Sequence, residues 1–262
     1  MNMKRRHVLT LIAGFTAIGA LPVNAQILNI NDAINKAGSQ RMLSQRMSKA
    51  YLSIGLNVAP EKSQIVMNES MARFDRQLVE LSAFSPLPDI KSTYAQLEAL
   101  WGQYKSALVG QIPRRENVAA LIDLDAKVLE LANKGASQLT QASGKPLSRL
   151  VNMSGRQRML SQRTAKFYLA KAWNAPVAQA DTEMQKARGE FTAALDTLEK
   201  APEATSQIKQ ELELARQQWV FFELALANVN RSVRSAENVF LASENVLSIM
   251  EKVTVMYARL AG

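Results

Sequence analysis

Apolar positions along this chain recur in steps of three, four and seven. Leu121, Leu124, Val128, Leu131 and Leu139 form one stripe, and Val239, Val246, Ile249, Val253, Met256 and Leu260 form another. Such steps mark the buried face of a helix in a bundle. Elsewhere glycine is scarce, and alanine, leucine, glutamine, glutamate and lysine dominate, all good helix formers apart from the caps they need. The prolines act as punctuation. Pro60 ends a first helix that starts near Asn31; Pro86 and Pro88 separate the second and third; Pro113 separates the third and fourth; Gly144-Lys145-Pro146 closes the set. Pro176, Pro202 and Asn228-Val229-Asn230 repeat the scheme. The pattern predicts an all-α fold of two tandem antiparallel four-helix bundles, over residues 26–144 and 145–262. Phe74, Trp101, Phe191 and Trp219 are predicted core residues, and the methionines core filler.

The two halves share more than periodicity. Residues 35–52 read NKAGSQRMLSQRMSKAYL and residues 152–169 read NMSGRQRMLSQRTAKFYL, a spacing of 117. Gln-Arg-Met-Leu-Ser-Gln-Arg is identical in both copies. Met67, Phe74, Leu78 and Leu81 match Met184, Phe191, Leu195 and Leu198 at the same spacing, Trp101 and Leu108 match Trp219 and Leu226 at 118, and Glu116-Asn117-Val118 matches Glu237-Asn238-Val239 at 121. This is the signature of an internal duplication.

At about 100° per residue, Gly38, Arg41, Met42, Gln45, Lys49 and Leu52 share one face of the first helix. Leu43, Met47, Ala50 and Ile54 share the opposite face, which suits the bundle's own core. A mid-helix glycine costs about 1 kcal/mol relative to alanine, and it recurs as Gly155. Glycine there allows close approach of a backbone or ligand. One turn on stand Arg41 and Arg158, whose planar forks match a planar oxyanion. If the two glycine faces meet, the arginines meet across a pseudo-two-fold axis. Two guanidiniums at ~4 Å repel by about 4 kcal/mol at an effective dielectric near 20, and an anion between them relieves that, so the pair would sit apart when empty and together when filled. Gln45, Lys49, Gln162 and Lys166 are candidates for the rim of such a site. Arg46 and Arg163 lie further round and read as structural, and Asn35 and Asn152 as makers of a helix–helix hydrogen bond. The bland alternative is that all these arginines pair with acids inside the bundle.

Charge and composition narrow the chemistry. Residues 1–25 read as an export signal: Lys4, Arg5 and Arg6, then apolar Val8 to Leu21, then Val23-Asn24-Ala25 as a cleavage site. The apolar stretch falls short of the ~20 residues of a spanning helix, with an uncleaved anchor as the alternative. Lys4-Arg5-Arg6-His7-Val8-Leu9 fits a twin-arginine signal in part. The reading places the protein in the periplasm or outside the cell, with no stable membrane span after cleavage. Cleavage takes the formal charge from +9 to +6 and removes the single histidine, His7. With no cysteine either, a disulfide framework, a thiolate nucleophile and a serine–histidine–acid triad are excluded. The carboxylates Asp123, Asp125, Glu211 and Glu213 are placed on solvated faces, so no enzyme, cofactor or metal is expected. No aromatic-studded basic pattern points to nucleic acid.

Asn35-Lys36-Ala37-Gly38-Ser39-Gln40-Arg41-Met42 resembles the P-box of NarX-type nitrate/nitrite sensor kinases. Both copies resemble still more closely the PilJ-type N-terminal domain of type IV pilus methyl-accepting chemotaxis transducers, whose version Leu43-Ser44-Gln45 follows. The resemblance covers residues 27–262 and implies four-helix bundles. In the nitrate sensors the P-box arginine of each of two subunits binds one nitrate, and the glycine a turn earlier gives close backbone contact. By motif position these roles fall to Gly38, Arg41, Gly155 and Arg158. The expectation is an exported sensory module that binds a small oxyanion, nitrate or nitrite first. With no kinase or methyl-accepting region before Gly262, it would act through a membrane sensor kinase or chemotaxis-type receptor. The alternative is a structural or interaction bundle of the envelope or pilus machinery.

Overall fold

The computed structural model describes residues 26–109, 112–228 and 232–261. The predicted export signal, residues 1–25, lies outside the described residues. The described chain is all-α, as the hydrophobic pattern predicts: α1 (Ile30–Gly55), α2 (Pro60–Phe84), α3 (Pro88–Leu108), α4 (Val118–Ser143), α5 (Pro146–Ala172), α6 (Ala180–Glu199), α7 (Ser206–Leu226) and α8 (Val233–Ala261). None of these helices is long and apolar enough to cross a membrane.

Local chemistry sets the ends. Asn29 caps α1, its Oδ1 accepting from the amides of Asn31 and Asp32 at 2.9 and 3.0 Å, as a short amide at an N-cap does. Pro60, Pro88 and Pro146 stand in the first turns of α2, α3 and α5, where the missing N–H costs nothing. Pro60 therefore opens α2 rather than ending α1, which stops earlier at Gly55. The stop is an asparagine turn that recurs. Asn57 and Asn174 both take left-handed backbone, at φ 58° and 51°, a conformation asparagine tolerates better than most. The next amide reaches back in each case, Val58 to Ser53 O at 2.8 Å and Ala175 to Ala170 O at 2.9 Å.

Helices α1 and α5 form the centre, and theirs is the broadest contact in the molecule. α1 is flanked by α2 and α4, with α3 on α4; α5 is flanked by α6 and α8, with α7 on α8. The central pair runs parallel and in register. Ser148 Oγ donates to Asn31 Oδ1 at 2.6 Å, Gly38 faces Gly155, and Lys166 Nζ donates to Gln45 Oε1 at 2.8 Å. One hydrophobic core runs through all eight helices. Phe74 stacks on Trp101 and Phe191 on Trp219, with ring centroids 4.2 and 3.7 Å apart.

The fourth-helix stripes need correction. Leu121, Val128, Leu139, Val239, Val246 and Val253 are buried, but Leu124, Leu131, Ile249 and Met256 are only partly covered and Leu260 is 44% exposed. In α8 the inner face passes instead through Met250 and Tyr257, both fully buried, because steps of seven drift round a 3.6-residue helix.

Candidate functional site

The repeated motif occupies the most enclosed helices. From Ala37 to Ser53 every residue except Arg46 is buried, and from Gln157 to Ala170 every residue except Arg163. Most of the shared sequence has a visible packing role. Gln40 and Gln157 each donate to the backbone of the neighbouring helix, to Phe74 O at 3.1 Å and Phe191 O at 2.8 Å. Ser44 and Ser161 return their hydroxyls to the carbonyls of Arg41 and Arg158.

The arginines converge where the glycines touch. A Cβ on Gly38 would stand 3.0 Å from Arg158 Nη2, 3.3 Å from Arg41 Nη2 and 3.6 Å from Gly155 Cα. A Cβ on Gly155 would stand 3.1 Å from Arg158 Nη2 and 3.6 Å from Arg41 Nη2. The absent side chains are what let both helix and both guanidiniums share this space. Both arginines are almost wholly buried, 1% and 0% exposed. Each donates across the pair to the matching carbonyl: Arg41 Nη2 to Asn152 O at 3.2 Å, Arg158 Nη2 to Asn35 O at 3.1 Å. Nε of both lacks an acceptor.

Beyond that the halves differ. Arg41 donates to the neutral oxygens Asn133 Oδ1, at 3.1 Å, and Asn152 Oδ1, at 2.7 Å. Arg158 Nη1 instead holds the Glu251 carboxylate at 2.5 Å, which Arg73 also binds at 2.6 Å. Arg41 is thus a buried cation without a carboxylate in its hydrogen-bond set. Burial, with the charges of Arg156 and Arg158, pushes its guanidinium down to about 9. Burial alone would raise the Glu251 carboxyl, but Arg158 and Arg73 override it and hold it at about 2.

Gln45, Lys49, Gln162 and Lys166 form a second buried layer further along the pair. Lys166 pairs with Asp125, which also accepts from Gln45 Nε2 at 2.6 Å. Lys49 binds Glu244 at 2.6 Å and Ser243 Oγ at 2.9 Å, and Gln162 donates to Ser243 O at 2.9 Å. These four tie the central helices to α4 and α8. Asp125 was expected on a solvated face and is fully buried instead, because it neutralises Lys166. Asp123 and Glu213 are exposed and Glu211 half-buried. Arg46 and Arg163 pair with Glu244 and Glu183, as their structural reading required.

Sequence reasoning missed Asn133 and Glu251, the partners that distinguish the two arginines. They stand 118 residues apart, as do Asp125 and Ser243, which receive Gln45 and, through its carbonyl, Gln162. The contacts therefore align α4 with α8 at 118, about one turn out of step with the 121 read from Glu116-Asn117-Val118. Arg156 was also missed. It bonds Glu190 at 2.6 Å, and its Nη1 approaches Asn133 Oδ1 at 3.4 Å. Arg41, Asn133, Asn152, Arg156 and Glu190 lie on a cleft of about 610 Å³ among α4, α5 and α6.

A duplicated helical bundle with one arginine pair at its pseudo-axis is matched by known sequences. The type IV pili methyl-accepting chemotaxis transducer N-terminal family, PilJ, matches residues 23–127 and again residues 139–251. The chain belongs to the PilJ family. Its two PilJ segments coincide with the two copies of the motif. Among characterised proteins it is similar to the methyl-accepting chemotaxis protein McpN of Pseudomonas aeruginosa, 26% identical over 106 residues, covering 37% of this chain and 19% of that protein. The chain thus spans about a fifth of that relative's length. No solved structure matches it.

Proposed function

We propose that this PilJ protein is an exported sensory module that binds a small oxyanion, nitrate or nitrite first, between Arg41 and Arg158. The observation that carries the reading is the convergence of both Nη2 atoms within 3.3 Å of one point beside Gly38. Two buried guanidiniums there oppose each other's charge, and a planar anion offers both a shared acceptor. Gly38 and Gly155 supply the close backbone. Binding would compete with Asn133 for Arg41 and with Glu251 for Arg158, loosening α4 and α8 from the central pair. That shift is the output a membrane sensor kinase or chemotaxis-type receptor would read. Membership of a transducer-domain family supports a sensory role, and the positively charged start of the chain supports export.

A second reading is a structural or interaction bundle of the envelope or pilus machinery. It is favoured by the hydrogen bonds each guanidinium already makes. Thermal unfolding of the full chain against nitrate, nitrite, chloride, sulfate and phosphate at fixed ionic strength separates the two. Ligand at 100 times its dissociation constant adds about 2.7 kcal/mol. A nitrate- or nitrite-selective rise in Tm, lost in Arg41→Ala and Arg158→Ala, is the expected result. A flat response to every anion leaves the arginines as internal ties.

A further inference from the structure

The α4–α5–α6 cleft carries charge that its counterpart in the other half does not. Its wall includes Arg41, Arg149 and Arg156 against one acid, Glu190, a net of +2. At the matching positions of the other half, offset by 117 or 118, stand Arg158, Asp32, Ser39 and Arg73, with Glu251 in place of Asn133. Those charges cancel. The two copies share their inner helices yet differ in charge at these places, so the excess belongs to one face of the molecule.

The cleft also has room for a small organic ligand. The cleft holds about 610 Å³, within the roughly 300–1,000 Å³ of small-molecule sites. Met153 and Ala194 give it an apolar wall beside the arginines. Arg41 closes its inner end, bonded there only to amide and carbonyl oxygens.

We propose that this cleft binds a small organic dianion of the dicarboxylate class, one carboxylate on Arg41 and Arg156 and the other on Arg149. Glu190 is the internal competitor: it occupies Arg156 until a ligand carboxylate displaces it. The proposal shares with the oxyanion reading the premise that Arg41 exchanges its neutral partners for an anion. It differs in needing Arg149 and Arg156 and in not needing Arg158.

The test is calorimetric titration of the full chain with succinate, alongside acetate, sulfate and nitrate at fixed ionic strength. Arg156→Ser and Arg149→Asp install the residues that the first repeat carries at those places. Saturable succinate binding is expected, at least tenfold weaker in each variant and at least tenfold weaker for acetate. Glu190→Gln is expected to tighten it, which a merely structural role would not do. Unchanged thermal unfolding of the ligand-free variants checks that the fold is kept; should Arg156→Ser unfold, Arg149→Asp and Glu190→Gln carry the test. Absence of saturable succinate binding, equal affinity across the folded variants, or sulfate binding as tightly as succinate overturns the proposal. A nitrate response without a succinate response sinks it and leaves the oxyanion reading standing. Succinate binding that needs Arg156, without a nitrate response, does the reverse.

Discussion

Replacing Arg41 by glutamine should stabilise the protein, whereas the same change at Arg158 should weaken it. Burial and the neighbouring arginines lower the Arg41 guanidinium from its ordinary 12.5 to about 9. At about 1.4 kcal/mol per tenfold change in proton affinity, that is roughly 5 kcal/mol against the charge. What opposes the loss is modest. Three hydrogen bonds from the charged guanidinium to neutral oxygens contribute about 1.5 kcal/mol each, and a glutamine amide keeps one. The shorter stem gives up about 1 kcal/mol of packing. The balance favours Arg41→Gln by about 1 kcal/mol. Arg158→Gln instead strips a charged partner from Glu251, leaving it to Arg73, and should cost about 2 kcal/mol. Urea unfolding followed by far-UV circular dichroism, in nitrate-free buffer of constant ionic strength, reads the difference. With a slope of about 3 kcal/mol per molar, the two midpoints should lie roughly 1 M apart on opposite sides of the parent. If Arg41→Gln falls as far below the parent as Arg158→Gln, Arg41 is a net stabilising tie and the strain argument fails.

Three further outcomes follow from the buried charges and the glycine contact. Asp125→Asn leaves Lys166 enclosed without its carboxylate, and should cost about 3–5 kcal/mol in urea unfolding, part of it restored by the double change Asp125→Leu with Lys166→Met, which still strands the Gln45 amide. The carboxyls of Glu244 and Glu251 are both held at about 2 against the pull of burial, by Lys49 with Arg46 and by Arg158 with Arg73. Their folded values lie below their unfolded ones, so their contribution is complete above about pH 4.5 and fades as pH falls towards 2. It amounts to up to about 3 kcal/mol each, and Glu251→Gln should flatten that acid limb of a pH–stability curve. Gly38→Ala gains helix propensity of about 1 kcal/mol but pushes on both guanidiniums. Its Tm should stay near the parent's while any nitrate-dependent rise disappears; an intact nitrate response would mean the ligand sits elsewhere.

The helical class, the duplication and the inward-facing glycines were legible because each rests on local pattern. Spacing shows which residues share a face, and Gly38 with Gly155 shows where two backbones close up. Partners across the bundle were not legible. Asp125 read as a solvated acid because nothing in its own stretch of sequence indicates that Lys166, on another helix, needs it. Gln40 and Gln157 are identical in both copies, and each serves a hydrogen bond to a neighbouring helix, to Phe74 O and Phe191 O. Identity between repeats therefore reports shared packing as well as shared chemistry. Asn133 and Glu251 were obscured by a register taken from the helix start, one turn away from the register the contacts use. Leu260 failed for a related reason: a stripe drawn in steps of seven leaves the core face before the helix ends.

The asymmetry has a physical meaning that duplication makes possible. Two identical subunits about a true two-fold axis must present the same partner to each arginine. A fused chain is free of that constraint. Here Arg158 shares the Glu251 carboxylate with Arg73 and Arg41 is left to amide and carbonyl oxygens, so two guanidiniums occupy one buried space with one carboxylate, on the Arg158 side. A symmetric pair with two carboxylates would leave no charge for an anion to satisfy. A symmetric pair with none would add a second buried strain of roughly the Arg41 size, about 5 kcal/mol, against a total stability of only 5–15 kcal/mol for a typical domain. One neutralised and one unneutralised arginine keeps the bundle stable and still leaves net positive charge at its axis. It would also give a bound anion a direction, because the proposed ligand would meet less competition on the Asn133 side than on the Glu251 side. Exchanging the two partners, Asn133→Glu with Glu251→Asn, should move the strained arginine from Arg41 to Arg158 with little change in overall stability.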